Sequence, residues 1–534
     1  MPMMTGGQAV VTGLRQAGIT TLFGIPGVHN GGLYDALVDA PDIRVVVTRH
    51  EQGAAFMADG YARASGRTAC LATITGPGVT NAATGLGEAY AESSPVLHLA
   101  TTLAAHPRPI DKGELHELRD QSALLQAIVQ QHTIVEAVPD IPEAIISAVH
   151  SIAYNRPGPA SIEIPLHLLT TPAQTVVPAP LSVNPRIPDS ALVEKAATLL
   201  GKATAPLIFL GSGAMDAGAD VKAVAERLHA PVLIAQTGKG AFPESHRLSL
   251  GCKNRRDESL YDFLRTRDLL LVVGCRLGSR ITEDGRMPFP DTIIQVDQSA
   301  ASFEAHGQRV SVALHADASE AMKLLLAALP AGLIPSHDSV ARIRELRQAP
   351  QDSVNDPRSA GILHALRRVL PTDGVLVNDM TMTSYHAATL FPVDVPRSFM
   401  FPVYFGTLGF SMPAAIGAQL ACPNRPVVSL SGDGGFLFTA EELSTAMREQ
   451  LPVVAVVFND TSYGAIDGHF RQNFGGRSVD VSLHNPDFVA LGRAFGAAAE
   501  SVTDPDGLAQ AVARALHRRR PTLIEYGLPP VPAQ

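Results

Sequence analysis

Asp433 stands in Ser431-Gly432-Asp433-Gly434-Gly435 and Asp460 in Asn459-Asp460, 27 residues apart from 433 to 460. VVSL precedes the first and VVAVVF the second, both apolar runs that predict buried parallel strands. Between them FTAEELSTAMREQ predicts a helix, with Thr439 as N-cap and Glu442 three residues on as its capping-box partner. One strand–helix–strand unit puts both acids at the same sheet edge, where ligands of parallel sheets bind. The glycines let the backbone turn and approach a ligand closely. A helix N-terminus favours an anion, and hard oxygen ligands favour magnesium. The parts together describe a site for Mg²⁺ bridging a diphosphate. GDG alone is most often a turn; the assembled unit carries the reading.

Glu51 is a third acid of interest. It follows the apolar run VVVT and opens the Ala-rich stretch EQGAAFMADGYAR, so it falls in the first turn of a predicted helix. A helix dipole favours a carboxylate there with or without a function.

These residues need a scaffold, and the chain alternates β-branched runs with helical patterns in three successive segments. That alternation predicts three sequential parallel-sheet α/β domains: residues 1–170, 188–333 and 357–534. A Pro-rich connector, TPAQTVVPAPLSVNPRIP, follows the first, and a polar stretch from Ser336 to Ser359 precedes the third. The 534 residues suit about three domains of ordinary size. A net charge of −9 argues against a nucleic-acid surface. No run approaches the ~18 apolar residues of a membrane span, and the N-terminus lacks a signal-peptide pattern. Cys70, Cys252, Cys275 and Cys422 form no ligand spacing and predict buried thiols. A cytoplasmic protein without membrane or nucleic-acid partners is expected.

The stretch from GDG to Asn459-Asp460 resembles the diphosphate–metal motif of thiamine-diphosphate enzymes, the group that holds acetolactate synthases, 2-oxo acid decarboxylases and benzaldehyde lyase. The family more often has Asn-Asn where this chain has Asn459-Asp460. The resemblance spans the chain in three-domain order: pyrimidine-binding, central and diphosphate-binding. It implies thiamine diphosphate and Mg²⁺ as cofactors, with Asp433, Asp460 and the Ser462 carbonyl as metal ligands. Gly432, Gly434, Gly435, Tyr463 and Gly464 line the diphosphate, with Thr381 and Thr383 beside it. RHEQGAAFMADGYAR matches the family's catalytic glutamate at Glu51, the acid that faces the aminopyrimidine. TITGPGVTN places Gly76 and Asn81 along the pyrimidine. YFGTLGFSMPAAIGAQLA gives Gly406, whose carbonyl takes the amino proton, and Leu408, which wedges between the rings. In the family the first domain of one subunit faces the third domain of another. A homodimer at least, with a tetramer common among relatives, is therefore implied.

The residues near the reacting carbon leave the reaction open. His29, in GIPGVHN, corresponds to a loop histidine of benzaldehyde lyase, and Val28 beside it borders the substrate. His116, in GELHELRDQ, aligns with a substrate-facing Gln. Ala465 and Ile466 stand where pyruvate decarboxylases have Ile-Glu, which leaves room and removes a glutamate proton donor. Benzoylformate decarboxylase carries a His where this chain has Thr75. The expected activity is a carbon–carbon lyase that decarboxylates a 2-oxo acid, with ligation of the product to a second carbonyl as a further outcome. An aldehyde lyase or ligase without decarboxylation is the alternative. So is a guanidino-2-oxo acid decarboxylase, with Asp467 available to face a cation. In the central domain, Cys252-Lys253-Asn254 replaces the Met-His-Gly turn of flavin-binding synthases, so FAD is not expected. Arg276 and Arg280 are expected to be solvated or paired, with contact to the active site as the other reading.

Overall fold

The computed structural model describes residues 1–103, 112–253, 257–304, 310–331, 339–348 and 356–528. Asn254 and the expected domain ends at 333 and 534 lie outside them. The chain divides into two compact units. One comprises residues 1–183, 375–381 and 400–534, the other residues 184–374 and 382–399.

The first unit holds two six-stranded sheets. The N-terminal sheet contains β1 (Thr21–Gly24), β2 (Arg44–Val47), β3 (Ala69–Thr73), β4 (Val96–Thr102), β5 (Gln131–Ile134) and β6 (Ala160–Pro165). Its spatial order is β2-β1-β3-β4-β6-β5, parallel throughout. The second unit holds β7 (Pro206–Leu210), β8 (Val232–Ile234), β9 (Ser249–Gly251), β10 (Leu269–Val273), β11 (Ile293–Asp297) and β12 (Val312–His315). They run β9-β8-β7-β10-β11-β12, the order of dinucleotide-binding folds. The C-terminal sheet contains β13 (Val375–Asn378), β14 (Phe399–Met400), β15 (Val427–Gly432), β16 (Val454–Asn459), β17 (Ala498–Val502) and β18 (Thr522–Gly527). Its order, β14-β13-β15-β16-β18-β17, repeats that of the N-terminal sheet strand for strand. The sequence showed three α/β segments but not this identity, because strand order depends on crossovers that local pattern does not encode.

The apolar residues of the central strands are buried, as runs such as LLLVV and VAVVF require of a sheet covered on both faces. In the first unit, helix α1 (Glu51–Ser65) packs against helix α4 (Ser411–Ala421). Here α2 is Pro77–Glu92 and α3 is Gln121–Ile128. The α1/α4 backbones touch: a Cβ at Gly417 would lie 1.9 Å from the Met57 carbonyl oxygen, and one at Gly60 2.1 Å from that of Ala414. Phe56 and Phe410 meet edge to face at 5.5 Å within the same core. Cys70, Cys252 and Cys275 are buried as expected; Cys422 is only half-buried, at the C-cap of α4.

Candidate active site

The C-terminal sheet brings the two aspartates to neighbouring strand ends. β15 and β16 pair in parallel with Gly432 opposite Phe458, so Asp433 follows one strand end and Asp460, one residue beyond Asn459, follows the next. Asp433 starts a helical turn, Asp433–Phe436, and is 2% exposed. Its Oδ1 accepts from the Gly434 amide at 2.8 Å and its Oδ2 from Asn485 Nδ2 at 2.6 Å. Burial still pushes this carboxyl up despite those bonds and the Ser462 and Thr461 amides. Among the described residues no basic side chain pairs with it. A buried carboxylate that no described base pairs with, on the strand end next to one followed by Asp460, is a donor that fits a hard divalent ion. Asn485 also donates to Asn459 Oδ1 at 2.9 Å, tying the two strand ends together. Asp460 Oδ1 accepts from the Ser462 amide at 3.1 Å, and Tyr463 leads into helix α6 (Gly464–Asn473).

Thr381 lies beside Gly432, 3.8 Å from where a Cβ there would sit. Thr383 belongs to the other unit, where its Oγ1 lies 3.5 Å from Ser359 Oγ. Gly406 has φ 75°, the left-handed turn that glycine accepts without strain, and Leu408 is half-buried. Ala465, half-buried, and Ile466, exposed, stand in the first turn of α6. Asp467 is engaged: its Oδ2 takes Arg471 Nε at 2.7 Å, and that pairing holds its carboxyl below the usual range.

The N-terminal sheet positions the other expected site residues. Glu51 is the first residue of α1, as the sequence predicts, and is 9% exposed. Its Oε2 accepts from Asn81 Nδ2 at 3.0 Å. Gly76 stands just before α2 at φ 70° and packs against His116. His116 and His29 lie with Nδ1 atoms 3.0 Å apart. Two protonated imidazole nitrogens cannot face each other at that distance, so one donates and the other accepts. Burial, then the neighbouring His116, lowers the pKa of His29. Val28 is 92% exposed. Glu51 is held by Asn81, and Asp433 by Gly434 and Asn485.

Three residues that sequence reasoning missed, and one whose partner it misassigned, support this arrangement. Gln121, at the head of α3, accepts from Thr75 Oγ1 at 2.8 Å and the Gly76 amide at 2.9 Å. It also donates to Glu163 Oε2 at 2.9 Å, which locks the Gly76 turn to β6. Asn485 lies beyond the motif and gives no local signal. Asp379 carries the Ser411 amide at 3.2 Å and the Met380 amide at 2.8 Å, and burial pushes its carboxyl up to about 6. Glu442 was expected to cap its own helix at Thr439. Instead Thr439 makes no such bond and donates to the Gly409 carbonyl, while the helix α5 begins later, at Leu443–Arg448. The Glu442 carboxylate crosses to the start of α1, accepting from the Arg49 amide at 3.1 Å and the His50 amide at 3.0 Å. A Cβ at Gly53 would lie 2.3 Å from Glu442 Oε1, so only glycine leaves room for this contact.

Comparison with known proteins agrees with the geometry. The chain matches three family models in order. They describe the N-terminal thiamine pyrophosphate-binding domain (residues 4–124), the central domain (193–325) and the C-terminal thiamine pyrophosphate-binding domain (379–526) of thiamine pyrophosphate enzymes. It is 37% identical to a probable 2-ketoarginine decarboxylase of Pseudomonas aeruginosa, over 98% of this chain and 94% of that protein. It is 32% identical to a probable acetolactate synthase large subunit of Methanocaldococcus jannaschii, covering 99% and 93%. It is also 32% identical to the acetolactate synthase isozyme 2 large subunit of Escherichia coli, covering 98% and 96%.

Proposed function

The chain belongs to the thiamine pyrophosphate enzyme family, and from that premise we propose that it is a thiamine-diphosphate- and magnesium-dependent lyase that removes CO₂ from a 2-oxo acid. The observation that carries this reading is the pairing of Asp433 and Asp460 at adjacent strand ends of one sheet with a buried Glu51 at the head of a helix on another.

The Asp433 and Asp460 carboxylates and the Ser462 carbonyl would hold Mg²⁺. The Gly432–Gly435 turn, Thr381, Tyr463 and Gly464 would receive the diphosphate. Asn81 fixes one oxygen of Glu51 and leaves the other to hold a proton against the pyrimidine ring. Gly76 borders that ring. The Gly406 carbonyl would accept from its amino group, and Leu408 would support the bend. When bound, thiamine diphosphate supplies the electron sink for the bond to the leaving carboxylate. His29 and His116 share one proton and would pass it to or from the substrate carbonyl oxygen. Val28, Ala465 and Ile466 border the substrate, and Ala465 leaves space for a larger side chain. The two half-sites belong to different subunits in this reading, so a homodimer is the smallest active form.

A guanidino-2-oxo acid is the second reading, favoured by the 2-ketoarginine decarboxylase relative. Asp467 already holds Arg471 through Oδ2, so a guanidinium there would share the carboxylate with it. Product masses and CO₂ release from a panel of 2-oxo acids, 2-ketoarginine and pyruvate among them, test the proposal. Release from one class ranks the substrate, and coupled products add ligation. A panel that gives no CO₂ with bound cofactor contradicts it and favours aldehyde ligation.

A further inference from the structure

The segment 401–410, which carries Gly406 and Leu408, is held along its length by charged side chains from α1 and α2. Arg63 of α1 donates to the Phe401 carbonyl at 3.0 Å and lies over the Phe410 ring at 5.4 Å. Glu92 of α2 accepts the Tyr404 amide at 2.8 Å and also faces the Val403 amide. Glu88, one helical turn earlier, takes the Thr407 hydroxyl at 2.9 Å. Thr407 stands between Gly406 and Leu408. The loop therefore has three anchors, and the one nearest the two cofactor-facing residues is Glu88.

Glu88 is 0% exposed, and its other oxygen, Oε1, has no hydrogen-bond partner among the described residues. Asp59 of α1 is buried beside it, bonded to the Ser94 hydroxyl, and Asp59 Oδ2 lies 3.7 Å from Arg63. Asp59, Glu88 and Glu92 thus share one guanidinium, Arg63. Three ionised acids against one base would leave buried net negative charge, which a protein interior resists.

We propose that Glu88 is a positioning residue for the cofactor: through Thr407 it fixes the Tyr404–Leu408 loop, so the loop is shaped before any cofactor arrives. Burial first, then Glu92 and Asp59, push Glu88 up to about 8, against the opposing pull of Arg63 and the Thr407 bond. A carboxyl raised in the folded state contributes stability that is full below the ordinary carboxylate range and lost as pH rises through about 8. Ionisation strengthens the Thr407 bond itself but adds a third buried negative charge beside Glu92 and Asp59, and that repulsion should loosen the loop on the alkaline side. The proposal rests on the reading of this loop as a thiamine contact.

The test has two readouts. Amide hydrogen exchange of residues 401–410 is followed by mass spectrometry in the cofactor-free protein. Thiamine diphosphate affinity is measured by titration calorimetry with saturating Mg²⁺. Both are run near pH 7 and near pH 9. In the wild-type protein, loop protection and affinity should fall together at the higher pH, beyond the intrinsic exchange change. Glu88→Gln, a neutral side chain of the same shape, should keep the loop protected at both. Glu88→Ala and Thr407→Val should lose protection at both and bind the cofactor about tenfold more weakly, the size of one buried hydrogen bond. Thr407→Val leaves the acid cluster intact and guards against misfolding of the first variant. Unchanged protection and affinity in Thr407→Val, or the same alkaline loss in Glu88→Gln as in wild type, would overturn the proposal. Failure of the wild-type protein to bind the cofactor would instead sink the functional reading. The exchange experiment, run without cofactor, would still decide whether Glu88 holds the loop.

Discussion

At the residue scale, what a carboxylate does is set by its surroundings. Glu51 is held by one amide, Asp433 sits unpaired by any described base, and Glu442 serves as a distant helix cap. Glu442 is the informative case. Its bonds to the Arg49 and His50 amides satisfy donors that would otherwise be orphaned at the start of the Glu51 helix. Glu442→Ala should destabilise the protein by about 2 kcal/mol in urea unfolding, because buried donors are left unpaired. Burial first pushes the Glu442 carboxyl up to about 7. Its raised value makes its contribution full below the ordinary carboxylate range and lost as pH rises through about 7. Unfolding at about pH 5.5 and about pH 8 should show that slope in wild type, reduced in Glu442→Gln. An equal slope in both would remove Glu442 as its source.

The histidine pair belongs to the same scale. If His29 and His116 act on one shared proton, as the proposed function has it, their effects should not add. Replacing both by Phe should lower kcat about as much as the worse single replacement. Additive losses in kcat would mean separate roles. Of these residues, Glu51, Asp433 and Asp460 were legible because each closes an apolar strand or opens a helix within one short stretch. Gln121, Asn485 and Glu442 were not. Their partners lie 45, 52 and 393 residues away in the chain, and no local pattern records such a bond.

At the element scale, the helix α1 is the shared support of the first unit. It presents Glu51 at its start and Asp59 and Arg63 further along, and it lies against α4 with backbone contact at Gly417 and Gly60. Gly417→Ala would push its new methyl into the Met57 carbonyl. It should cost about 2 kcal/mol, the usual range for overpacking, read as a lowered urea midpoint with unchanged m. An unchanged midpoint would show that the helices can separate freely. The strand pattern and the start of α1 were legible from periodicity and first-turn chemistry. The helix after Asp433 forms, but its capping box was misread, since the same Thr439–Glu442 spacing that suits a capping box also suits a glutamate reaching across to another helix.

At the scale of the whole molecule, the N- and C-terminal sheets share one strand order, and each carries half of the proposed site. No helix of the described residues is long and apolar enough to cross a membrane. If the halves meet between subunits, Glu51→Gln and Asp433→Asn proteins should complement each other. After subunit exchange, half the dimers are mixed and each has one intact site, so activity should recover to about a quarter of wild type. No recovery, with exchange confirmed by mass, would place both halves within one chain.

The central claim is that Glu51, with thiamine diphosphate and Mg²⁺, drives loss of CO₂ from a 2-oxo acid. The most direct measurement is CO₂ release by the wild-type and Glu51→Gln proteins on the best substrate of the panel, with each cofactor supplied or withheld. The account predicts release that needs both cofactors and falls by at least about a hundredfold in the variant, the usual contribution of a positioned acid or base. Equal release by Glu51→Gln at saturating cofactor would contradict it.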